Sequence, residues 1–559
     1  MTGKWARLAT SAVLLVLVGL SSLACQPSAD TSDKQTNWLR GCEIDAQCTR
    51  GMTCQCGACT QICDTQTSCQ GLPGSSCVPP GNKGSIALCG GEKSTGAGLC
   101  LPSCVDAPCA DGQMCVAGVC APLPTPTAHV SIDPSVHHQV LTGLGATVGY
   151  AEDAITSHPK KAALYGEMFA SLGLDVLRFR DRYGYPGGDS LLSAAEITRE
   201  ATTSLSRKPT ILLGSWSPPG VLKANGTVYC QSNFDTCTLA QAAGGGFDYA
   251  GYATYWRGTL DAYAAQGITP DYIGIQNNPD FVPSSTGIFE ACKFLPKEGT
   301  QTVTVNGAQV PVRYPGYDEA LSAVLAQLDG LKSPPKIVAP EVTAANLVAG
   351  YVSGLDMSKV DAIGHHLYGT DPTALDPSSL QTLGSLGQQY DLPLFQTEMQ
   401  ADGFGTALLL HDALVVEGAS VYIQSALIGP AATPGIDPTA LITLGATEYT
   451  LEAPYYAMRQ YAFYTDPGWV RVDAVSSSAD LLTSAWVSPE GDKVTLVMTN
   501  QGRSTVAAQL DLGAVSFGTS LIVRTAFDGI ERTAELGSLP SEGILQIPAH
   551  SVVTVVLSP

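Results

Sequence analysis

Short apolar runs alternate with longer amphipathic stretches between residues 128 and 465. Short runs of β-branched and apolar residues are typical of buried strands, and apolar positions that recur every three or four residues are typical of helices. The predicted strands are 140–148, 176–180, 210–215, 272–276, 336–339, 362–365, 393–396 and 420–424. The predicted helices are 160–172, 191–205, 249–265, 317–331, 378–390, 406–417 and 454–464. The pattern places no clear helix between the fifth and sixth strands.

Eight strands that alternate with helices predict an α/β fold, a (β/α)8 barrel over residues 129–467. An open doubly wound sheet is the competing interpretation. The polar residues favour the barrel, because nearly every predicted strand ends in side chains suited to binding sugars. In a barrel all of these strand ends meet at one face, where the chemistry takes place.

The period of the pattern changes after residue 467. Strands are predicted at 482–487, 493–499, 507–512, 520–525 and 551–557, with turn chemistry at Gly491-Asp492 and Asn500-Gln501-Gly502. Residues 468–559 are therefore predicted to form a side all-β sandwich domain, to which residues 130–132 could add a strand.

Residues 42–120 hold 14 of the 18 cysteines of the chain. So dense a set predicts a small disulfide-rich region in an oxidising compartment, joined to the barrel by a Pro/Thr linker at 121–128. Metal binding is the rival interpretation, which the absence of nearby histidines disfavours. The connectivity stays open, although repeated Cys-Xaa5-Cys spacings suggest tandem stapled units. A spacer or a binding module is the expected role.

The N-terminus is typical of an export signal. Lys4 and Arg7 precede an apolar stretch at 12–20, and small residues follow at Ser22-Leu23-Ala24-Cys25. We predict a signal peptide at 1–24 and a polar tether at 25–41. Cys25 follows the small residues as in a bacterial lipobox, which predicts a lipid anchor in the membrane at Cys25; plain secretion is the alternative. The apolar run is shorter than the ~20 residues that span a bilayer.

The net charge of −21 disfavours nucleic acid as a partner, because phosphate contacts need clustered Lys and Arg. A neutral polysaccharide or a cell-surface partner fits better. The sequence implies no metal and no organic cofactor.

The most informative residues are Gln276-Asn277-Asn278-Pro279, which follow the fourth predicted strand. A Gln-Asn-Glu-Pro sequence at a strand end presents the general acid/base of many retaining glycosidases, and here Asn278 takes the glutamate position. Other strand ends carry chemistry as well: Arg178, Trp216, Glu341, His366, Tyr368 and Glu398. A single Glu after a strand is usually a surface residue, but six strand ends of the same character favour a site.

These segments together resemble the family 30 glycoside hydrolases, which include glucosylceramidases, glucuronoxylanases and endo-β-1,6-glycanases. The resemblance extends from about residue 128 to the C-terminus and rests on residues 139–146, 216–219, 223–226, 276–281, 366–368, 397–398 and 467–473. It implies a barrel fused to a β-sandwich and a retaining mechanism with two carboxyl groups about 5–5.5 Å apart.

The resemblance also implies roles for individual residues. Glu398 would be the nucleophile, held ionised and oriented by Arg178 and Tyr368. Asn277 would bind the hydroxyl next to the anomeric carbon, Trp216 would form a sugar platform, and His366 belongs to the matched segment. Gln424 ends the eighth strand, where the family often places a tryptophan under the sugar.

Three explanations compete for the missing acid at Asn278. Asp280 or Glu341 could supply the proton as an alternative acid. The protein could instead be a carbohydrate-binding surface protein, a pseudoenzyme or adhesin, or it could act on a substrate that carries its own acidic group. A structural envelope protein that uses the barrel only as a scaffold is a weaker possibility. The expected function is thus an exported glycoside hydrolase-like protein that acts on a β-linked polysaccharide or glycoside.

Overall fold

Eight parallel strands close into a barrel, and each strand pairs with the next one along the chain. Their bounds are Gly143–Thr147, Val176–Arg180, Thr210–Gly214, Tyr272–Gly274, Lys336–Val342, Ala362–His366, Leu394–Met399 and Val421–Gln424. The first strand pairs with the eighth, so the sheet has no open edge. This closure excludes the doubly wound alternative and confirms the predicted barrel.

The computed structural model describes residues 42, 44–48, 51–55, 58–64, 69, 72, 75–79, 97–102, 113–116, 119–122 and 125–559, except 182–189, 231–236, 284–288, 306–307, 370–374, 430–436 and 530. The predicted signal peptide at 1–24, the tether at 25–41 and Cys25 lie outside the described residues. Within the described part of the chain, no helix combines the length and the apolar character needed to cross a membrane.

Helices cover the outside of the barrel. They are Glu152–Ser157, Lys161–Tyr165, Leu191–Leu205, Tyr249–Ala265, Tyr317–Leu328, Ala345–Val352, Pro377–Tyr390, Gly403–His411 and Ala453–Ala462, with π-helical turns at Gly166–Ser171 and Asp412–Glu417 and 3-10 turns at Gly220–Leu222 and Met357–Lys359. Two long helices begin at predictable caps, because the side chains of Ser190 and Asp248 accept hydrogen bonds from first-turn N–H groups. The helix that the pattern could not place is the short Ala345–Val352.

Three small sheets lie in the loops after barrel strands. They pair Tyr229–Cys230 with Phe289–Glu290, Gly299–Val305 with Ala308–Tyr314, and Ile428–Gly429 with Ile442–Leu444 and Tyr449–Leu451. The hairpin over 299–314 was not predicted, although alternating Thr and Val followed by Asn306-Gly307 is a strong hairpin signal.

The all-β domain is a nine-stranded arrangement around its own apolar core. Its strands are Ala128–Val140, Val470–Ser476, Leu481–Val487, Val494–Asn500, Val506–Asp511, Thr519–Ala526, Ala534–Gly537, Ile544–Ile547 and Ser551–Ser558. Strand Ala128–Val140 lies between Val470–Ser476 and Val506–Asp511. The barrel, predicted from residue 129, therefore begins only after Val140, and residues 130–132 belong to a full-length sandwich strand.

The cysteine-rich region contains short strands at Thr53–Gln55, Ala58–Thr60, Ile62–Cys63, Ser75–Val78, Gly98–Pro102, Gln113–Val116 and Val119–Pro122. Its disulfides include Cys42–Cys54, Cys48–Cys59, Cys63–Cys77 and Cys69–Cys100. None of these four bonds joins a Cys-Xaa5-Cys pair. Instead they overlap along the chain in two pairs, Cys42–Cys54 with Cys48–Cys59 and Cys63–Cys77 with Cys69–Cys100. Because the same cysteines form the described groups that could otherwise hold a metal ion, the disulfide interpretation is favoured over metal binding.

Candidate active site

The barrel lumen has an apolar floor and a polar upper layer. The floor is a cluster formed by Val176, Leu212, Val338, Ala362, Phe395, Val421, Ile423 and the partly buried Tyr272. Above it, glycines make room for charged side chains. A Cβ atom on Gly274 would lie 1.6 Å from Glu341 Oε2, and one on Gly364 would lie 3.0 Å from Glu341 Cγ. These glycines let a carboxylate occupy the lumen under the strand ends.

Arg178 is the centre of the polar layer and is fully buried. Its Nη1 donates to Glu398 Oε2 at 2.7 Å, and its Nη2 donates to Glu341 Oε1 at 2.9 Å and to Asn277 Oδ1 at 2.6 Å. Its Cζ lies 4.5 Å from the centroid of the Trp216 ring. One guanidinium thus orients the predicted nucleophile, the predicted hydroxyl-binding amide and the predicted platform.

Glu398 has both carboxylate oxygens engaged and is 8% exposed. Besides the bond from Arg178, its Oε1 accepts a hydrogen bond from the Tyr368 hydroxyl at 2.9 Å. Burial, and then the neighbouring Glu398 carboxylate, raise the pKa of Tyr368, so that this phenol stays a donor. A carboxylate fixed by two donors at the mouth of a closed barrel is suited to nucleophilic attack.

Glu341 shares the guanidinium with Glu398 but lies deeper, with no exposed surface. Burial raises its pKa, although the nearby Arg178 acts in the opposite direction. Burial is the larger of the two effects, so the net change makes Glu341 hold a proton more readily than a free glutamate does. Its backbone has a φ of 58°, in the left-handed region that a glutamate rarely adopts.

Asn277 and Asn278 follow the fourth strand. The backbone N–H of Asn277 donates to Ser215 O at 2.7 Å, and that of Asn278 donates to Glu341 O at 3.0 Å. Asn278 is half-buried and has a φ of 49°, which asparagine tolerates better than most residues. Asn277 Nδ2 and Asn278 Oδ1 have no hydrogen-bond partner among the described residues, so both amides have capacity left for a ligand.

Asp280 does not lie free at the site. Its Oδ1 accepts a hydrogen bond from Thr343 N at 2.9 Å, and its Oδ2 accepts one from the Thr343 hydroxyl. The carboxylate thereby ties the loop after the fourth strand to the end of the fifth. Both alternative acids are thus in use, Asp280 in this tie and Glu341 in the buried ion pair.

Gln424 faces away from the lumen. Its Oε1 accepts a hydrogen bond from the Tyr422 hydroxyl at 3.0 Å, and its Nε2 donates to Thr439 O at 2.9 Å. Val421 and Ile423 point into the lumen, so alternation puts Ser425 on the inner face instead. Ser425 contacts the Tyr368 hydroxyl. Strand alternation could have identified it from the sequence.

The two histidines of the sixth strand point in opposite directions. His365 pairs outward with Glu417 at 2.7 Å, and both side chains are fully buried. His366 packs edge-on against Tyr368 with ring centroids 5.9 Å apart. Burial, and then the charge of Arg178, hold the pKa of His366 well below its usual range, so it enters the site as a neutral ring. The sequence alone did not separate these roles.

An aromatic rim beside the site was not predicted. The Tyr150 ring stands edge-on to Trp216 with centroids 5.9 Å apart, and Arg180 Cζ lies 3.5 Å from the Tyr150 centroid. Arg180 also pairs with Glu290 at 2.5 Å. The rim is therefore aromatic, and the charge of its arginine is neutralised.

Two cavities bear on the choice of site. One of about 970 Å³ is lined by His137, Gln388, Asp391, Arg471 and neighbours, at the N-terminal ends of the barrel strands, and holds none of the predicted site residues. Another of about 490 Å³ is lined by Tyr150 and the loops after the first and eighth strands. Of these two cavities, only the second lies at the face of the barrel formed by the C-terminal ends of the strands, where Glu398 is located.

Known proteins share this architecture. Residues 468–555 match the family model described as the glycosyl hydrolase family 30 beta sandwich domain. A family 30 subfamily 8 xylanase from Clostridium acetobutylicum is 20% identical with a TM-score of 0.57, covering 77% of this chain and 100% of the xylanase. A conserved exported protein from Bacteroides fragilis is 14% identical with a TM-score of 0.59, covering 77% and 100%. An endo-β1,6-glucanase is 14% identical with a TM-score of 0.55, covering 77% and 94%. At these identities the solved structures establish a shared fold.

Proposed function

We propose that the chain is a glycoside hydrolase family 30-like protein, an exported retaining glycosidase for a β-linked polysaccharide or glycoside, with Glu398 as its nucleophile. The observation that supports this most is the Glu398 carboxylate, fixed by Arg178 and Tyr368 at the open end of the barrel. The resemblance of the strand-end segments and the family 30 match of the sandwich domain support the same assignment.

The chemistry follows from these positions. A Glu398 oxygen attacks the anomeric carbon while the bond to the leaving oxygen breaks, which gives a glycosyl ester on the enzyme. Water then attacks the same carbon as the ester bond to Glu398 breaks, a proton of that water passes to the solvent, and the sugar leaves with its configuration retained. In this proposal Asn277 Nδ2, which has no hydrogen-bond partner among the described residues, donates to the neighbouring hydroxyl, and the half-exposed Trp216 offers a ring face to the sugar.

Protonation of the leaving oxygen is the weak step. The amide of Asn278 cannot deliver a proton at neutral pH, Asp280 is held by Thr343, and Glu341 has no exposed surface. A positioned general acid typically contributes 10²–10⁴-fold. We therefore expect slow turnover of ordinary glycosides and faster turnover of glycosides whose leaving group departs without protonation.

A second candidate function is glycan binding without cleavage. It is favoured by the same observation, that both carboxylates near Asn278 are already engaged. In that case the site would serve adhesion, with the cysteine-rich region as a second binding module or a spacer. The two candidates differ in one measurable property, a covalent glycosyl ester on Glu398.

The decisive experiment is trapping of that ester. The full-length protein is incubated with 2-deoxy-2-fluoro aryl β-glycosides of glucose, galactose and xylose, and the peptide that contains Glu398 is analysed by mass spectrometry. A sugar adduct on this peptide, absent from Glu398→Gln, supports the glycosidase. Oligosaccharide binding without any adduct supports the binding protein. Failure to bind or react with any sugar would refute both.

The site of action is also part of the proposal. The disulfides suit an oxidising compartment, and a lipid anchor at Cys25 would hold the barrel at the outside of a membrane. If so, Cys25→Ser should move the protein from the membrane fraction to the soluble exported fraction. Retention in the membrane fraction would contradict the anchor.

A further inference from the structure

The cavity of about 970 Å³ lies where the N-terminal ends of the barrel strands meet the sandwich domain, at the opposite end of the barrel from Glu398. Its walls are formed by residues 137–142, by helix Pro377–Tyr390 with the chain that follows it, by the turn at 415–420, and by Arg471. The volume is at the upper end of the range of roughly 300–1,000 Å³ that is typical of ligand sites. None of these residues belongs to the site around Glu398, so the proposed function does not use this cavity.

Arg471 is held in one wall of the cavity in a fixed orientation. Its Nε donates to Gln139 Oε1 at 2.8 Å. The Gln139 amide nitrogen donates to two backbone carbonyls of the turn before the eighth barrel strand, at 2.5 and 3.1 Å, which fixes the amide oxygen toward Arg471. The pairing of the two sandwich strands that carry these residues shifts register between Val470 and Val472. Such a bulge re-aims a side chain, here that of Arg471.

The far end of the Arg471 guanidinium has no counter-ion. Its two terminal nitrogens have no acceptor among the described residues and remain accessible. The carboxylate that acts on it is that of Asp473, which pairs with His138 at 2.5 Å instead. Burial lowers the pKa of Arg471 to about 10 in spite of Asp473. A half-buried guanidinium without an ion pair is costly, and its planar fork of donors matches a carboxylate.

The remaining lining residues suit a sugar chain. Gln381, Ser385 and Gln388 are spaced four and three residues apart, so they lie on one face of their helix, and all three line the cavity. The two glutamine side chains have no hydrogen bond among the described residues and are available to ligand hydroxyls. Val140 and Pro393 add exposed apolar surface beside them, on which the C–H face of a sugar ring can lie.

The charges of the lining limit how acidic the ligand is. Arg471 is the only Lys or Arg among the described lining residues. Two carboxylates also line the cavity, that of Asp391 and that of Glu417, whose Oε1 pairs with His365 at 2.7 Å. A polymer with a charge on every unit would be repelled by these carboxylates and would find one cation only. A chain that carries a single carboxylate between neutral units fits the lining.

We propose that this cavity is a second carbohydrate-binding site, which takes an oligosaccharide segment with one uronic acid between neutral sugars, the carboxylate on the Arg471 guanidinium. The site is separate from Glu398 and goes beyond the proposed function. The protein then holds an acidic glycan at one end of the barrel while the other end stays open to a glycoside.

The test compares ligands and variants that differ in one charge. The full-length Glu398→Gln protein is titrated calorimetrically with four- to eight-unit oligosaccharides in which β-linked glucuronate alternates with a neutral sugar. The same oligosaccharides are also used after chemical reduction of their carboxylates to alcohols, and inorganic phosphate is titrated alone. Arg471→Gln removes the guanidinium, and Arg503→Gln is the matched control, since it removes the same charge from an exposed position of the sandwich outside the lining.

A second pair of variants tests the cavity without changing its charge. Ser385→Trp fills the cavity from its helix wall, whereas Thr382→Trp places the same indole at an exposed position of that helix outside the lining. Thermal melting of each variant shows that it is folded before its affinity is compared.

Carboxylate reduction and Arg471→Gln should each weaken binding about ten- to hundredfold, the usual effect of charge-assisted hydrogen bonds. The two changes act on one contact, so reduction should have no further effect in Arg471→Gln. Ser385→Trp should abolish binding, and both control variants should leave it unchanged. Equal affinity for the acidic and the reduced ligands, or a preference for the acid that survives Arg471→Gln, would overturn the site. So would absence of binding by every oligosaccharide, or phosphate that binds as tightly as the oligosaccharides. The glycosyl ester on Glu398 is tested separately and does not depend on these outcomes.

Discussion

Replacement of Asn278 by glutamate would restore a carboxyl group where the strand-end sequence lacks one, and the structure lets its effect be worked out. Asn278 is half-buried and directly follows Asn277, whose amide oxygen accepts a hydrogen bond from Arg178, the residue that also binds Glu398. Partial burial would raise the pKa of the introduced group and so favour its protonated form, although the positive charge of Arg178 acts in the opposite direction. That is the state that a general acid needs.

The gain and the cost can be separated. A general acid contributes 10²–10⁴-fold, or about 2.7–5.5 kcal/mol of transition-state stabilisation. The cost is conformational, because residue 278 has a φ of 49° and a longer side chain there loses about 1–2 kcal/mol of stability. Asn278→Gln carries the same strain without an acid and is the matched control. Both variants should therefore have slightly lower melting temperatures, and only Asn278→Glu should gain activity.

The assay compares leaving groups. The kcat/KM of Asn278→Glu relative to Asn278→Gln should rise by 10²–10⁴ with alkyl glycosides and oligosaccharides, and by far less with dinitrophenyl glycosides. The pH profile of Asn278→Glu should gain an alkaline limb where the introduced acid loses its proton. An equal gain in Asn278→Gln would refute the reasoning, since the cause would then be shape rather than acidity. Rapid cleavage of oligosaccharides by the unaltered protein would show that another group already supplies the proton.

Three further predictions concern the support of the site. Gly274→Ala would put a methyl group 1.6 Å from Glu341 Oε2 and should lower the free energy of unfolding in urea by about 1–3 kcal/mol. The control Gly166→Ala, whose methyl group meets nothing within 4 Å, should lower it by less, and equal losses would contradict the packing argument. Tyr368→Phe removes one of the two hydrogen-bond donors to Glu398 and should lower kcat with activated substrates about tenfold or more, with little change in oligosaccharide affinity. An unchanged kcat would show that the Tyr368 hydroxyl does not assist the attack by Glu398. Burial raises the pKa of Asp412 to about 7, so the native state binds this proton more tightly than the unfolded chain does. The free energy of unfolding should therefore fall as the pH rises from about 4 to 7. Asp412→Asn should flatten that part of the pH profile, and parallel profiles of the two proteins would contradict this.

The barrel could be predicted from the sequence because its strands and helices differ in period and length. The predicted second strand and two of the helices, 191–205 and 249–265, match the structure at both ends. The sixth strand was predicted from only four residues, 362–365, and in the structure it ends one residue later, at the second histidine. The starts of the two helices agree because each is marked by a capping residue, Ser190 or Asp248, directly before the first helical residue.

The site was predictable in its strand-end residues and less so in their directions. Arg178, Asn277, Tyr368 and Glu398 come together because parallel strands collect their ends. The direction of Gln424 was not predicted: it faces away from the lumen, since alternation from Ile423 puts Ser425 inward. This geometric difference decides which side chain reaches the lumen, while the role predicted for Gln424 in substrate binding remains a prediction.

Depth and long-range contacts were beyond the sequence. Glu341 ends a strand as predicted, but its depth depends on the space above Gly274 and Gly364 on neighbouring strands. The Tyr150 rim depends on a residue with positive φ in a loop, which no periodic pattern marks. The disulfide connectivity likewise depends on chain paths that spacing does not determine.

Strand Ala128–Val140 has a consequence for how the protein is made. It is an interior strand of the sandwich, and its neighbours Val470–Ser476 and Val506–Asp511 follow the entire barrel. During synthesis at roughly 5–20 residues per second, its partners emerge some tens of seconds later. Until then its paired edges and its apolar face have no native cover. The barrel is in effect an insertion within the sandwich, so completion of the smaller domain has to wait for the larger one. A chain truncated after the barrel would leave this strand exposed as a site for aggregation.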